Sequence, residues 1–345
     1  MGDRTLAKDG ALTKMRGLLF GFSITRSIAV AAELGIADRL AEGPRTAADL
    51  AGECGVLERP LYRMLRALAG EGVFAENNDG RFALTPLAEL LRSDDPRSLR
   101  DWAIVLADLP YRVSVEMLHS LRTGESAFRK VFGVPWIDYL KAARPEDAVK
   151  LFRGMSSISA ARTAGLLEVY DFSPVTRLVD VGGAHGAMAA AIAKQYPGIH
   201  CTCFDLPHAE QGALKTFRDT GVADTCDFVG GDFFEDELPA GADAYIISTV
   251  LHDWGDEQCL KVLRNCRCRI PDKGKVLVVD IVLSDEKNVP DTYRNFLDLT
   301  MLTSTEGGME RTGSEFRKLL ATAGFSLSRI LPTKAPQWVI EALPQ

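Results

Sequence analysis

The sequence predicts an α/β protein: a doubly wound, mostly parallel sheet with helices on both faces, preceded by a smaller helical domain of winged-helix character. Three observations carry that prediction. After Ser173-Pro174, short apolar runs alternate with helical stretches: RLVDVGG, AMAAAIAKQYP, IHCTCFD, AEQGALKTFRDTG, CDFVGGD, AYIISTV, CLKVLRNC and KVLVVDIVL. Strands that alternate with helices pair in parallel, because each return crossing uses a helix. Next, the glycine-rich turn DVGGAHG joins the first of these strands to its helix, as in folds that bring a nucleoside-type cofactor close to the backbone. Finally, RTAADLAGECGVLERPLYRMLRALAGEGVFAENNDGRFAL has the order helix, turn, helix, hairpin.

Taken in order, the N-terminal stretch MRGLLFGFSITRSIAVAAELGIADRL is helical and unusually apolar, which suits the embrace of a second copy of the chain. A helix containing Leu50 then stops at Gly55. The next carries Leu61, Leu65 and Leu68 on one stripe. Val73 and Phe74, the turn NNDG, and Phe82 and Leu84 make a hairpin. SDDPRS, residues 93–98, ends this part and marks a hinge. With 345 residues the chain suits two domains, which we place at 1–100 and 101–345. Residues 101–170 are helical again, with Trp102, Leu106, Trp136, Phe152 and Met155 as large or soft side chains. After the alternating region, EFRKLLATAG forms a last helix. FSLSRIL and QWVIEAL form strands at one edge of the sheet.

Composition narrows the function. The chain is 46% hydrophobic and 25% charged, with a net charge of −7, ordinary for a soluble globular protein. Arg59, Arg63 and Arg66 on the second helix of the winged-helix pattern raise DNA binding as a possibility. Acids balance the bases over residues 1–100, however, and an acidic chain does not attract phosphate backbones, so no nucleic-acid partner is expected. No apolar run reaches the ~20 residues that span a bilayer, and the N-terminus lacks a signal-peptide pattern. We expect a cytoplasmic protein with no membrane partner. Seven cysteines, an odd number without C-x-x-C spacing, argue against a disulfide framework or a zinc site.

Three successive strands end with residues suited to an adenosine group. The first supplies Gly182 and Gly183, the second Asp205 where an acid binds ribose hydroxyls. The third ends in Gly231, Asp232 and Phe233, an acid for an adenine amino group and a ring to cover its face. No lysine follows the glycines, so this is no phosphate-cradling loop. The fourth strand, AYIISTV, delivers His252 of LHDW to the same edge. An imidazole at a ligand-binding strand edge is suited to removing a proton from a bound acceptor. A neutral imidazole, titrating near its ordinary ~6.5, can take that proton as the new bond forms. Its other ring nitrogen then needs an acceptor, and Asp280 and Glu310 are the candidates. Asp256 is the expected N-cap of the following helix. No carboxylate cluster demands a metal.

DVGGAHG, FDLP, GGDFF, LHDW and GGMERT, in this order and spacing, resemble the caffeate-type small-molecule O-methyltransferases, which include plant phenolic enzymes and bacterial natural-product tailoring enzymes. The resemblance covers nearly the whole chain. It implies a Rossmann-like class I methyltransferase domain with S-adenosyl-L-methionine as cofactor, an N-terminal α-helical winged-helix dimerisation domain, and a homodimer. It implies that His252 is the base, flanked by acids at Asp280 and Glu310, and that Trp254 lies near the cofactor or beneath the base. The sequence departs from the family at Ala184, where many relatives carry glycine, and at Ser248, where plant members carry lysine. We therefore expect methylation of a phenolic or related hydroxyl on a small aromatic acceptor. Trp102, Phe152, Met155, Met301 and Leu302 are candidates for its pocket. The rivals are C- or N-methylation on the same scaffold and a ligand-sensing winged-helix regulator.

Overall fold

The structure, a computed structural model, describes residues 2–136, 138, 139 and 145–345. The chain divides into two compact units, Met1–Arg112 with Ala142–Ser159, and Val113–Lys141 with Ala160–Gln345. In the first, helices Gly2–Leu19, Gly21–Glu33 and Ile36–Leu40 precede strand β1, Arg45–Thr46. Helices Ala47–Cys54 and Glu58–Gly70 follow, then β2, Phe74–Glu76, and β3, Arg81–Leu84. Local chemistry sets these boundaries. Thr46 and Asp49 form a reciprocal capping box, and Gly55 ends the helix in the left-handed conformation. Leu61, Leu65 and Leu68 point inward with Leu50, Phe74 and Phe82 to form the core of this unit. β1 joins the hairpin as a third strand, in the order β1-β3-β2, an addition that two residues cannot announce in a sequence.

The second unit holds β4, Arg177–Val181; β5, His200–Asp205; β6, Cys226–Gly230; β7, Ala244–Ser248; β8, Lys275–Leu283; β9, Arg311–Thr312; β10, Phe325–Leu331; and β11, Gln337–Pro344. The main sheet runs β10-β11-β8-β7-β4-β5-β6. β4 to β8 are mutually parallel, and β11 pairs antiparallel with both β8 and β10. The order reverses direction between β4 and β7, the place where open sheets of this kind bind ligands.

Both faces of the sheet are covered, which is why its central strands are apolar throughout. Val179, Val181, Tyr245, Ile247, Val276 and Val278 pack on one side, against helices Asp256–Arg269 and Gly313–Thr322. Leu178, Ile246, Leu277 and Val279 pack on the other, against Ala187–Gln195 and Glu210–Thr220. Each such buried side chain stabilises the fold by about 1.5–3 kcal/mol, so the strand ends are held on a rigid frame. Among the described residues no single helix is long and apolar enough to cross a membrane.

Candidate active site

The carboxyl ends of β4, β5 and β6 form one half of the site. Gly182 leaves β4 with φ +73° and donates its N–H to the carbonyl of Phe204 at 2.8 Å. A Cβ on Gly182 would stand 2.7 Å from Val250, with Phe233 just behind. One on Gly183 would meet the buried Asp180 carboxylate at 2.7 Å and Cys203 at 2.8 Å. Both positions therefore require glycine on steric grounds. Asp205 accepts the N–H of Ala184 at 2.8 Å and that of Leu206 at 2.6 Å, which fixes its carboxylate beside the turn. Asp232 and Phe233 lie just beyond β6, where Asp232 accepts the N–H of Phe234 at 2.9 Å. Phe233 and Trp254 each meet Phe234 edge to face, at 4.7 and 4.8 Å. Trp254 thus closes a row of rings that begins beside Gly182.

Two features of this half escaped the sequence. Ala184 sits at φ +48°, a left-handed conformation that costs an L-residue roughly 1–2 kcal/mol. Arg162, on helix Pro145–Val169, lies within electrostatic reach of both Asp180 and Asp280. Burial pushes the Asp180 carboxyl up to about 7, although Arg162 opposes the rise. Its Oδ2 has no hydrogen-bond partner, and neither does the buried hydroxyl of Ser248. A glycine turn packed too tightly for a Cβ, with unpartnered polar atoms on Asp180 of β4 and Ser248 of β7, fits a nucleoside cofactor with a charged tail.

The other half lies beyond β7 and β8. Thr249 turns the chain out of β7 at φ +50°, a strained conformation for a β-branched residue. A short turn, Leu251–Asp253, then carries His252. Nδ1 of His252 is 3.0 Å from Glu310 Oε1 and 3.4 Å from Asp280 Oδ1. Nε2 stands 3.8 Å from Asp253 Oδ1, too far for a hydrogen bond. The Asp280 and Glu310 side chains are almost fully buried and His252 is partly exposed. The donor atoms of His252, Asp280 and Glu310 lie within 4.8 Å of one another, a spacing that can hold a proton or a cation. Burial would lower the His252 pKa, but Asp280, Asp253 and Glu310 overcome it and raise the imidazole to about 10. The expected value near 6.5 is therefore corrected, because three carboxylates face one ring. Burial raises Glu310 as well; His252 opposes that rise, and Asp280 and Asp298 add to it.

The turn is clamped from outside. Arg311, 1% exposed, donates to the carbonyls of Leu251 and Trp254, each at 3.0 Å. It also donates to Asp256 Oδ1 at 3.1 and 2.8 Å. Asp256 is thus not the N-cap that its position suggested. Gly255 occupies that place without a side-chain bond, and the carboxylate serves Arg311 instead. A Cβ on Gly308 would run into Thr305 and the His252 carbonyl. Asp280 lies inside β8, which continues to Leu283 and pairs with β9. Of the proposed pocket residues, Met301 and Leu302 lie on helix Thr292–Ser304. Trp102 and Met155 belong to the first unit, and Phe152 lies outside the residues whose side chains are described.

A glycine turn at the switch point, with a histidine between acids beyond the neighbouring strands, is the arrangement of a group-transfer enzyme of the α/β class. Residues 115–326 match the O-methyltransferase domain family and residues 17–94 the O-methyltransferase dimerisation domain. The chain belongs to the S-adenosylmethionine-dependent O-methyltransferases of natural-product biosynthesis. It is similar to the phenazine O-methyltransferase PhzM of Lysobacter antibioticus, 40% identical over 328 residues that cover 95% of this chain and 94% of that one. It is also similar to the mitomycin biosynthesis 6-O-methyltransferase of Streptomyces lavendulae, 35% identical over 340 residues, 98% and 96% of the two chains. Among solved structures, the mitomycin 7-O-methyltransferase MmcR superposes with a TM-score of 0.87 at 35% identity, covering 99% of this chain and 100% of that one.

Proposed function

We propose that the enzyme methylates a phenolic or related hydroxyl of a small aromatic metabolite, with His252 as general base. The observation that carries this reading is the divided environment of the ring. Nδ1 is held by Glu310 at 3.0 Å with Asp280 at 3.4 Å, which leaves Nε2 for the acceptor. A ring fixed in this way has one defined nitrogen for the incoming proton. Glu310 and Asp280 then stabilise the imidazolium that results, and such base catalysis is worth ~10²–10⁴ in rate. Gly182, Gly183, Asp205, Asp232, Phe233 and Trp254 would hold the cofactor, and Arg162, within electrostatic reach of Asp180 on β4, would meet its carboxylate. When bound, S-adenosylmethionine supplies an electrophilic methyl group on a positive sulfonium, whose charge works against the three acids around His252. Similarity to enzymes named for phenazine, 3-amino-4-hydroxybenzoate and dihydroxynaphthoate methylation supports an aromatic acceptor. Tyr293, Phe296 and Met309, all exposed in the second unit, and Met301 and Leu302 offer apolar contact for it.

The test is a panel of phenols, aromatic amines and carbon acids incubated with isotopically labelled cofactor and read by mass spectrometry. Label transferred to phenolic oxygen is the expected result; label on nitrogen or carbon alone overturns the reading. Because His252, Asp280 and Glu310 work here on a proton, chelation with EDTA should leave the rate unchanged. A loss restored by a divalent ion would make the cluster a metal site instead.

We infer a cytoplasmic homodimer, with a dimerisation domain over 1–100 and a catalytic domain over 101–345. Leu12, Met15, Leu18, Leu19, Phe20 and Phe22 are all at least 50% exposed. Beside them is a cleft of about 350 Å³ lined by residues including Phe20, Ile24 and Leu68. So much apolar surface in one place favours a second copy of the chain. Light scattering at micromolar concentration should give twice the monomer mass.

A further inference from the structure

Glu310 has a second partner that the proton-transfer reading does not use. Its backbone N–H donates to Oδ1 of Asp298 at 2.9 Å. Asp298 sits in the middle of helix Thr292–Ser304 and is half-buried. Aspartate is a poor helix former, and burying its charge is unfavourable, so neither helix stability nor packing accounts for it. Its carboxylate reaches instead to the residue that faces the histidine. We propose that Asp298 is a positioning residue for methyl transfer, holding the main chain of Glu310 so that its carboxylate meets His252 Nδ1.

The proposal rests on His252 being the base, and it has an electrostatic consequence. Among the described residues, titratable groups act on the pair from several elements. Asp253 and Asp280 face His252 from its own turn and from β8. Tyr293 and Asp298 influence Glu310 from the helix. Arg162 lies within reach of Asp280, while Arg311 and Glu315 act on Asp298 with opposite signs. His252 and Glu310 titrate as a pair. A negative charge on Asp298 makes loss of their shared proton harder, wherever that proton resides. Removing the charge must therefore move the titration of the pair to lower pH.

Two substitutions separate the bond from the charge. Asp298→Asn keeps an acceptor oxygen and removes the charge, whereas Asp298→Ala removes both. Two readouts on the protein without acceptor decide. The first is the pH titration of the His252 ring by NMR, with the ring signal assigned by its loss in His252→Ala. The second is hydrogen exchange at the Glu310 amide. In Asp298→Asn the ring titration should fall by half a unit or more while the amide stays protected. In Asp298→Ala the amide should exchange at least tenfold faster. An unshifted ring titration in a folded Asp298→Asn protein overturns the assignment, as does unchanged exchange in Asp298→Ala. If the alanine variant does not fold, the asparagine titration alone decides. Wild-type turnover in His252→Ala would overturn the base reading, and this proposal with it; an unshifted titration removes Asp298 alone.

Discussion

The two halves of one sheet edge are built by opposite means. At the ends of β4 to β6 the chain packs closely around its own backbone: a Cβ on Gly182 or Gly183 would collide with Val250, Asp180 or Cys203, and Asp205 is steadied by backbone N–H groups. Beyond β7 and β8 the chain instead concentrates charge, with His252, Asp253, Asp280 and Glu310 gathered at a turn that Arg311 clamps. The first arrangement suits recognition, in which a ligand fits a preformed cradle and contributes its own charge. The second suits proton transfer, in which charge must already stand in place before the reaction. Binding and turnover should therefore respond separately to substitutions in the two halves.

The largest expected separation is at the histidine. His252→Ala should lower kcat by ~10²–10⁴ and leave the calorimetric affinity for S-adenosylmethionine nearly unchanged. With an acceptor whose phenol already ionises near neutral pH, the variant should recover much of its rate. Equal defects with acidic and ordinary phenols would make His252 a structural corner instead. The next effect is on pH dependence. A base works only when neutral, and its carboxylate neighbours raise the His252 pKa to about 10 in the unliganded chain. The rate should therefore still be climbing with pH above the ordinary histidine value of ~6.5. Glu310→Gln removes one stabilising charge, so the rising limb should move to lower pH, with a rate loss smaller than that of His252→Ala. A limb that stays in place would show that Glu310 does not govern the ring.

The cofactor half should answer in affinity. Asp205→Ala should weaken S-adenosylmethionine binding about tenfold, in line with ~1–3 kcal/mol for an unpaired buried partner. Turnover at saturating cofactor should stay close to that of the parent. An unchanged dissociation constant in the folded variant would remove Asp205 from the cradle. The smallest effect concerns strain. Ala184→Gly relieves a left-handed alanine but loosens the unfolded chain, so the net gain should be at most about 1 kcal/mol. Thermal unfolding would register it as a small rise in the melting temperature. A clear fall would mean that the methyl group packs usefully.

The same contrast explains how much of the site was legible in the sequence. The cradle is written locally: Gly182 and Gly183 follow one apolar run, Asp205 ends the next, and Asp232 and Phe233 follow a third. Parallel pairing alone brings such strand ends together. The charged half depends on contacts between distant segments. Asp256 looked like a helix cap from its neighbours, yet it binds Arg311, 55 residues away. Asp298 gave no local signal, because its partner is a backbone N–H that no sequence pattern marks. Arg162 sits in a helix whose composition resembles that of any other helix. His252 was legible by position, and both its acids were named, but their distances of 3.0 and 3.4 Å rank Glu310 first. That ranking came only from the structure.

Glu310 and Arg311 are adjacent in the chain, yet the acid turns to His252 while the arginine grips the carbonyls of the same turn from outside. Neighbouring residues of an extended segment face opposite sides, so the parity of the segment decides which charge meets the imidazole. A shift of Glu310 and Arg311 by one residue relative to β8 would exchange them, setting a guanidinium against the ring and a carboxylate against carbonyl oxygens. A shift of two residues would restore the faces but displace both groups by about 6.6 Å along the strand. The pairing of β9 with β8, and the packing of Gly308 against Thr305 and the His252 carbonyl, therefore fix which charge meets the imidazole. The register of β9 acts as a reading frame for the side chains that meet the turn at LHDW.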